Sequence, residues 1–572
     1  MSESSNARPV LILGAGINGC ALARELVLNG VPVILVDQAD IATGATAKSS
    51  RLIHGGLRYL EYGDFRLVAE SLAERERMLR LAPQFVRPLK LSIPVSRRFG
   101  GFLQSAVRFL RLSRFPVTRR IAALVPAHAP RGLIVVRIGL WLYDWIARSS
   151  LLPGHRVRRV GEPGAPSVDA ATFHWVCSYY DAQMPFPERF VLALLEDARQ
   201  AAETGVDFQV LPYHQAEFRG RTAEIRPLTG NGLRREFEPA AVINATGAWG
   251  DLTLKAMGVD TEPLFGGTKG SHLITTHAGL RRALGDGGVY AEAADGRLVF
   301  ILPFGESVLV GTTDERFRGP PGEAVATEQE LEYLIGMVNE VFPKISLTRK
   351  DVHLHYCGVR PLPRMSSGRT GSIPRGHWIH SSVNEGMRIE TLIGGKLTTC
   401  RAFAEEAADR VFELLGLLRT RDTRDRLIPG AEEYPADVKP WCAALADETG
   451  YSAEQVEAVF LLIGTRAREV LTGGGPLGTS CSIPGTDLPI CFVDRVIAEE
   501  WVSTLGDLVE RRLGLIFTTG LSRDTLEVLA DRLCLSGIVT AESRDREISD
   551  CLTRLQERYG IAIPPPAEGP VP

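Results

Sequence analysis

The chain has almost no net charge, no cysteine pair at metal or redox spacing, and no apolar run long enough to cross a bilayer. Each shortage removes a class of function. Sixty-five Lys and Arg against 68 Asp and Glu leave −3 at pH 7. No basic tail or RNA-binding signature is present either, so no nucleic-acid partner is expected. Nine cysteines are scattered without a C-x-x-C, which points away from zinc and from a disulfide framework, toward reduced thiols in the cytosol. Residues Met1 to Arg8 lack the apolar core of a signal peptide. The longest greasy stretch, Gly132 to Ala147, is interrupted by Arg137 and Asp144 and falls short of the ~20 residues that a span requires. Internal repeats are absent, and only the Pro-rich end, 563–572, reads as a disordered tail. What remains, 572 residues with 45% hydrophobic and 23% charged content, is a globular protein of two or three domains.

Glycine is where the chain is rich and patterned. An apolar run from Val10 enters Gly14-x-Gly16-x-x-Gly19; a helix-compatible stretch, Cys20 to Asn29, follows, and a second apolar run, Val33 to Val36, ends in Asp37. Each part has a mechanical job in holding a dinucleotide. Gly14 permits a tight turn, Gly16 lets the backbone approach a diphosphate, and Gly19 allows close helix–strand packing. The helix start at Ile17 and Asn18 offers N–H groups and positive dipole. Asp37, eighteen positions after Gly19, is placed to accept from a ribose. The fingerprint alone fits FAD and NAD equally.

Two more glycine turns come later: Ala240 to Trp249, a buried strand delivered into Thr246-Gly247, and Ile393-Gly394-Gly395-Lys396-Leu397-Thr398-Thr399, leading into a helix Cys400–Leu415. Between Gly288 and Thr313 the pattern is that of antiparallel strands. Beyond about residue 430 the chain reads as nearly all helix, with a capping box of Ser452 and Gln455. A stripe of Val493, Val496, Ile497, Trp501, Leu505 and Leu508 reads as packing core.

Several blocks resemble, in the same order, the motifs of the FAD-dependent glycerol-3-phosphate dehydrogenases of the respiratory kind. They are Lys48 to Glu61 (with His54-Gly-Gly-Leu-Arg58-Tyr59), Asn244 to Trp249, Thr268 to His272, Gly311 to Asp314, Gly358 to Pro361 and Gly394 to Thr399. The resemblance runs from about residue 9 to 430 and continues faintly through Glu510-Arg511-Arg512. It implies an α/β fold with an added α part: a Rossmann-type FAD domain interleaved with an antiparallel substrate domain, of the p-hydroxybenzoate-hydroxylase and amine-oxidase type, plus a helical C-terminal domain. The expected division is 1–90, 160–265 and 370–428 for FAD, 91–159 and 266–369 for substrate, and 429–562 for the helical domain. It also implies non-covalent FAD, oxidation of sn-glycerol 3-phosphate to dihydroxyacetone phosphate, and electron delivery to membrane quinone. Ala248 stands where the family usually has proline.

The chemistry this implies can be assigned to residues. A phosphate monoester carries roughly −1.5 to −2 charge and calls for charge-assisted donors, preferably arginine forks. Arg58, Arg360, Arg375 and Lys396 are the candidates, with Tyr59 and Thr399 beside them; Arg375, in Ile373-Pro-Arg-Gly376, lacks the neighbouring acid of the family pattern. Alcohol oxidation also needs a proton acceptor, and His272 is preferred, with His54 or an arginine such as Arg360 acting through water as the other choices. Gly14, Gly16, Ile17, Asn18, Gly19 and Asp37 are expected on the ADP half of FAD. Thr46, Ser49 and Ser50 are expected on the diphosphate. Thr246, Gly247, Gly394, Gly395, Lys396, Leu397 and Thr398 are expected on the remainder.

One segment departs from the family. Arg97 to Ser150 holds ten arginines against the single acid Asp144. Leu103, Ala106, Val107 and Leu110 share one helical face while Gln104, Arg108 and Arg111 share another, an amphipathic pattern suited to an anionic lipid surface. By composition alone the segment reads as a solvated helix over the substrate domain; the resemblance, with its need to reach quinone, implies instead a peripheral enzyme on the inner face of the cell membrane, with a homodimer as its candidate assembly. An oxidase using O2 and a non-catalytic, membrane-recruited FAD sensor are its rivals.

Overall fold

The structure is a computed structural model and describes residues 8–60, 63–99, 132–149, 151–228, 234–292, 297–364, 373, 375–473 and 481–564. The amphipathic pattern at 102–115 and most of the Pro-rich tail lie outside the described residues.

Val10–Leu13 and Val33–Val36 are runs of Val, Ile and Leu buried on both faces, the composition of interior parallel strands. They lie in a six-stranded sheet ordered Trp378–Asn384, Met387–Ile393, Val242–Asn244, Val10–Leu13, Val33–Val36, Phe208–Leu211. All its pairings are parallel except the hairpin formed by the first two strands. Leu13 is level with both Val36 and Asn244, so three strands end together beneath Gly14, Asp37 and Ala245. Ligands of open α/β sheets sit in such a crevice, outside the carboxyl ends of the strands. Helices Ile17–Leu28, Pro187–Ala202 and Cys400–Leu415 share one apolar core with one face of the sheet. A three-stranded sheet, His214–Arg219, Thr222–Pro227 and Arg235–Phe237, packs its Ala223 and Ile225 against the other.

A second sheet of ten strands stands beside the first. Its centre for the present purpose is Thr268–Thr275, flanked by Ser307–Gly311 and by Val352–Arg360. Two expectations need correction here. The sheet is not purely antiparallel, because Gly288–Glu292 runs parallel to Arg87–Val95. The strand Trp175–Gln183, which the sequence reading grouped with the FAD segments, pairs with Arg87–Val95 along its whole length and so belongs to this sheet. Its alternation of exposure gave no cue, since only Trp175 and Tyr180 are not buried.

From Val438 onward the described chain is helical apart from one isolated bridge, Ser482 with Pro489. Ser452 and Gln455 form the expected capping box at 2.9 and 3.2 Å. The stripe through Trp501 is not one helix: Ile490–Glu499 stops, Trp501 takes a φ of 52°, and Leu505 opens a new element. The helical part has no separate core. Val456, Phe460, Leu505 and Tyr559 belong to the same apolar cluster as Leu91, Tyr179 and Ile274 of the large sheet.

Candidate active site

A cleft of about 770 Å³ runs from His214 and Phe218 to His272 and Arg375. At one end the glycine fingerprint does what its spacing demands. Gly14 has φ +104°, and a Cβ there would lie 2.6 Å from the Ala245 carbonyl. A Cβ on Gly19 would lie 2.0 Å from the Gly14 oxygen, so helix and strand meet backbone to backbone. Gly16 is the N-cap of Ile17–Leu28 and provides no side-chain cap. Asp37 Oδ2 accepts from Ala15 N at 2.7 Å and Oδ1 from Ala39 N at 2.8 Å. Burial nonetheless pushes its carboxyl up to about 6, against the pull of those two amides.

The loop after the second strand closes over this end. Ile17 N donates to Thr46 Oγ1 at 3.1 Å, and Ser49 Oγ donates to the Thr46 carbonyl at 3.1 Å. Thr246 and Gly247 line the same cleft, as do Gly394, Gly395, Leu397 and Thr398. Gly394 and Gly395 hold φ of 79° and 90°. Asn18, from the first turn of the helix, reaches the Gly394 carbonyl at 3.4 Å and so joins the first glycine turn to the third.

At the other end the cleft becomes cationic. Arg360 Nη1 donates to Asp314 Oδ1 at 3.0 Å and to Thr268 Oγ1 and the Lys269 carbonyl at 3.2 Å. Its Nη2 donates to Thr312 Oγ1 and the Thr313 carbonyl, both at 3.0 Å. Arg375 lines the cleft, and the acid missing from its own segment is supplied by Asp314, 3.6 Å away. Lys396 Nζ donates to Ser71 Oγ at 3.2 Å and stands 4.2 Å from the centre of the Tyr59 ring, while burial lowers its pKa. Two expected residues are not brought to the cleft. Arg58 sits half-buried on the short helix Leu57–Leu60, and its neighbour Tyr59, not Arg58, contributes to the wall. Thr399 is fully buried at the start of Cys400–Leu415, with its side chain outside the lining.

Both candidate histidines line the cleft. His272 is buried on Thr268–Thr275, stacked 4.9 Å from Tyr356. Gly311 gives it room, since a Cβ there would lie 2.2 Å from the ring. Its Nε2 shares a 2.8 Å hydrogen bond with Ser50 Oγ, and its Nδ1 has no protein partner. Burial, then Arg360 and Arg51, push its pKa down to about 3. His54 is pushed down to about 4 by burial and then Lys396; its amide donates to Thr398 Oγ1 at 3.1 Å. Both rings are neutral at pH 7.

The sequence model of the family described as FAD dependent oxidoreductase matches residues 9–410. The chain belongs to that family. It is 32% identical to a glycerol-3-phosphate dehydrogenase of Synechocystis sp. over 90% of each chain. It is 30% identical to a D-erythritol 1-phosphate dehydrogenase of Brucella abortus, over 88% of this chain and 93% of that one. Its fold is similar to the crystal structure of the FAD-complexed glycerol-3-phosphate dehydrogenase of Bacillus halodurans, with a TM-score of 0.69 over 99% of this chain and 97% of that one at 19% identity.

FAD is the cofactor of this family, and the cleft of this oxidoreductase fits it. Gly16 leaves room at the helix start, where Thr46 Oγ1, which takes the Ile17 amide, lies 3.6 Å from a Cβ placed on Gly16. Asn18 Oδ1 is buried without a partner. A Cβ on Gly395 would lie 2.8 Å from Asn18 Nδ2, so glycine there lets the third turn close on the first. Two residues that line or build the site were inside the quoted motifs without a role assigned to them: Asp314, which organises both arginines, and Lys48, which lines the cleft.

Proposed function

We propose that this oxidoreductase converts sn-glycerol 3-phosphate to dihydroxyacetone phosphate and delivers the electrons to membrane quinone. The observation that carries this reading is the pairing, in one cleft, of a cationic pocket with a neutral buried histidine. Arg360, Arg375 and Lys396 against Asp314 leave two positive charges, which match the roughly −1.5 to −2 of a phosphate monoester. Bound FAD supplies the acceptor for the hydride leaving the carbinol carbon. Arg360, whose two terminal nitrogens are held by Thr268, Asp314, Thr312 and the Lys269 and Thr313 carbonyls, offers the phosphate a fixed positive charge. Tyr59 orients the Lys396 ammonium. His272 takes the hydroxyl proton. A phosphate dianion beside Arg360 offsets one of the charges that hold the His272 pKa down, so the ring becomes the stronger acceptor with substrate in place.

Delivery to quinone requires a membrane-facing surface. Helix Leu133–Ala147 offers one: Ile138, Trp141 and Trp145 are 54%, 61% and 56% exposed on one side, between exposed Arg137 and Arg148. Tryptophans flanked by arginines suit the headgroup layer, and this helix supports the reading of a peripheral protein on an anionic inner leaflet. Among the described residues no helix is long and apolar enough to cross a membrane.

The test is anaerobic addition of glycerol 3-phosphate to the FAD-loaded protein. Flavin absorbance should bleach with it and persist with glycerol. Persistence with glycerol 3-phosphate overturns the reading. The Brucella abortus relative favours a second substrate, a four-carbon polyol phosphate, and the ratio of kcat/KM for the two compounds decides between them. Reoxidation by a quinone analogue in preference to O2 separates dehydrogenase from oxidase.

A further inference from the structure

Among the described residues, the helical C-terminal part lines none of the cleft but backs one residue that does. Lys48 lines that cleft, yet its Nζ donates to Tyr559 Oη at 2.5 Å and lies 3.8 Å from the centre of the Tyr559 ring. Tyr559 in turn donates to Glu510 Oε2 at 2.6 Å, and Glu510 also receives Arg511 at 2.8 Å and Arg554 at 3.2 Å. At the start of the same loop, Asp40 receives Arg511 Nε at 2.5 Å and both terminal nitrogens of Arg512 at 2.7 and 2.8 Å. At its end, Arg51 is paired with Glu188 at 2.7 Å and lies 4.5 Å from the Phe517 ring centre. Ala42 and Arg51 hold φ of 63° and 57°, a conformation that non-glycine residues keep only when their surroundings enforce it.

The loop gripped in this way has two duties. Thr46 accepts from the first amide of the fingerprint helix, and Ser50 meets His272 Nε2. Lys48 stands between them. A plain domain interface has no need to bury so many charges, because removing ions from water is costly unless each is paired. Here every carboxylate of the cluster is partnered across the boundary or within it.

We propose that Lys48 is a positioning residue through which the C-terminal helices complete the cofactor and base site: Tyr559 and Glu510 hold Lys48, and Lys48 holds the loop that presents Thr46 and Ser50. The groups facing Lys48 are Glu510, Arg511, Arg554 and Tyr559 from the C-terminal helices, Glu188 from Pro187–Ala202, and His355 and Tyr356 from Val352–Arg360. Burial lowers its pKa to about 7, with Glu510 the main group opposing the fall. Because this value lies below that of a free lysine, the unfolded chain binds the proton more tightly, and this group favours the folded state more as pH rises through about 7.

Three full-length variants, Lys48→Met, Lys48→Arg and Tyr559→Phe, test this. Each is reconstituted with FAD, and the FAD dissociation constant, the visible flavin spectrum and the melting temperature are measured across pH. The pH profile of kcat is then compared with KM for glycerol 3-phosphate; that arm rests on the function proposed above. Lys48→Met should weaken FAD binding about tenfold, the scale of one lost charge-assisted hydrogen bond, and shift the pH profile of kcat while KM stays near wild type. Tyr559→Phe should do the same to a lesser degree, and Lys48→Arg should restore most of the loss. Wild-type FAD affinity, spectrum and pH profile in Lys48→Met and Tyr559→Phe would overturn the inference. So would a fall in melting temperature that Lys48→Arg fails to rescue, since the cluster is then only a scaffold. If wild type binds FAD but ignores glycerol 3-phosphate, the proposed function fails while the FAD arm still decides the role of Lys48.

Discussion

The two ends of the cleft are built on opposite plans. The dinucleotide end uses main-chain amides, glycines and one carboxylate drawn from residues 14–46. The cationic end is assembled from side chains at Tyr59, His272, Thr312–Asp314, Arg360, Arg375 and Lys396. A site made of backbone tolerates little steric change and carries little charge. One made of long side chains tolerates shape changes, yet each charge it loses leaves another group unpaired. Substitutions at the first end should therefore abolish cofactor retention, and those at the second should leave a yellow protein with impaired turnover.

Gly19→Val breaks the comparison most severely. Its Cβ would overlap the Gly14 carbonyl at 2.0 Å, so the purified variant should be colourless, as read from its visible spectrum. Next is His272→Asn. Loss of a proton acceptor costs roughly a hundred- to ten-thousand-fold in kcat, with flavin content retained. In wild type the acid limb of kcat/KM should lie well below ~6.5, the ordinary histidine value, because burial and Arg360 hold the free ring neutral down to about 3. The limb of kcat should lie higher, since bound phosphate opposes Arg360. Both limbs should vanish in the variant. Arg360→Ala should follow, with kcat/KM for the phosphate substrate down roughly thirty- to a thousand-fold; kinetics unchanged from wild type would make this arginine purely structural. Arg375→Ala, losing a looser 3.6 Å pairing, should cost about tenfold, on the scale of one modest charged contact. Smallest is the pair Trp141→Ser and Trp145→Ser. Activity with a soluble dye should be unchanged, while sedimentation with anionic vesicles should fall, measured as the bound fraction at low salt.

The same contrast governs how much could be read in advance. Fingerprint, strands and first helix are local, and the tight turn at Gly14 and the close packing at Gly19 were legible from spacing alone. The candidate phosphate residues Arg360 and Lys396 stood out by flanking glycines, but the guanidinium partner did not. Asp314 is 46 residues from Arg360 and meets it only because the turn after Ser307–Gly311 lies beside the paired strands Thr268–Thr275 and Val352–Arg360. Arg58 misled because it shares a segment with Tyr59, and on the helix Leu57–Leu60 adjacent residues point in different directions. Trp175–Gln183 was placed with the wrong sheet because a strand buried along nearly its whole length carries no alternating signal.

The bond from Lys48 to Tyr559 spans 511 positions of sequence, which has a consequence for how the molecule is made. During synthesis at roughly 5–20 residues per second, Lys48 waits on the order of half a minute to two minutes before its partner is even polymerised. Through that interval the Rossmann-like start of the chain is present while the loop over its mouth lacks its last support. Vectorial synthesis thus leaves the cofactor site to be finished only after Tyr559 is made, and a nascent chain arrested before helix Arg544–Tyr559 would carry a fingerprint without a closed pocket.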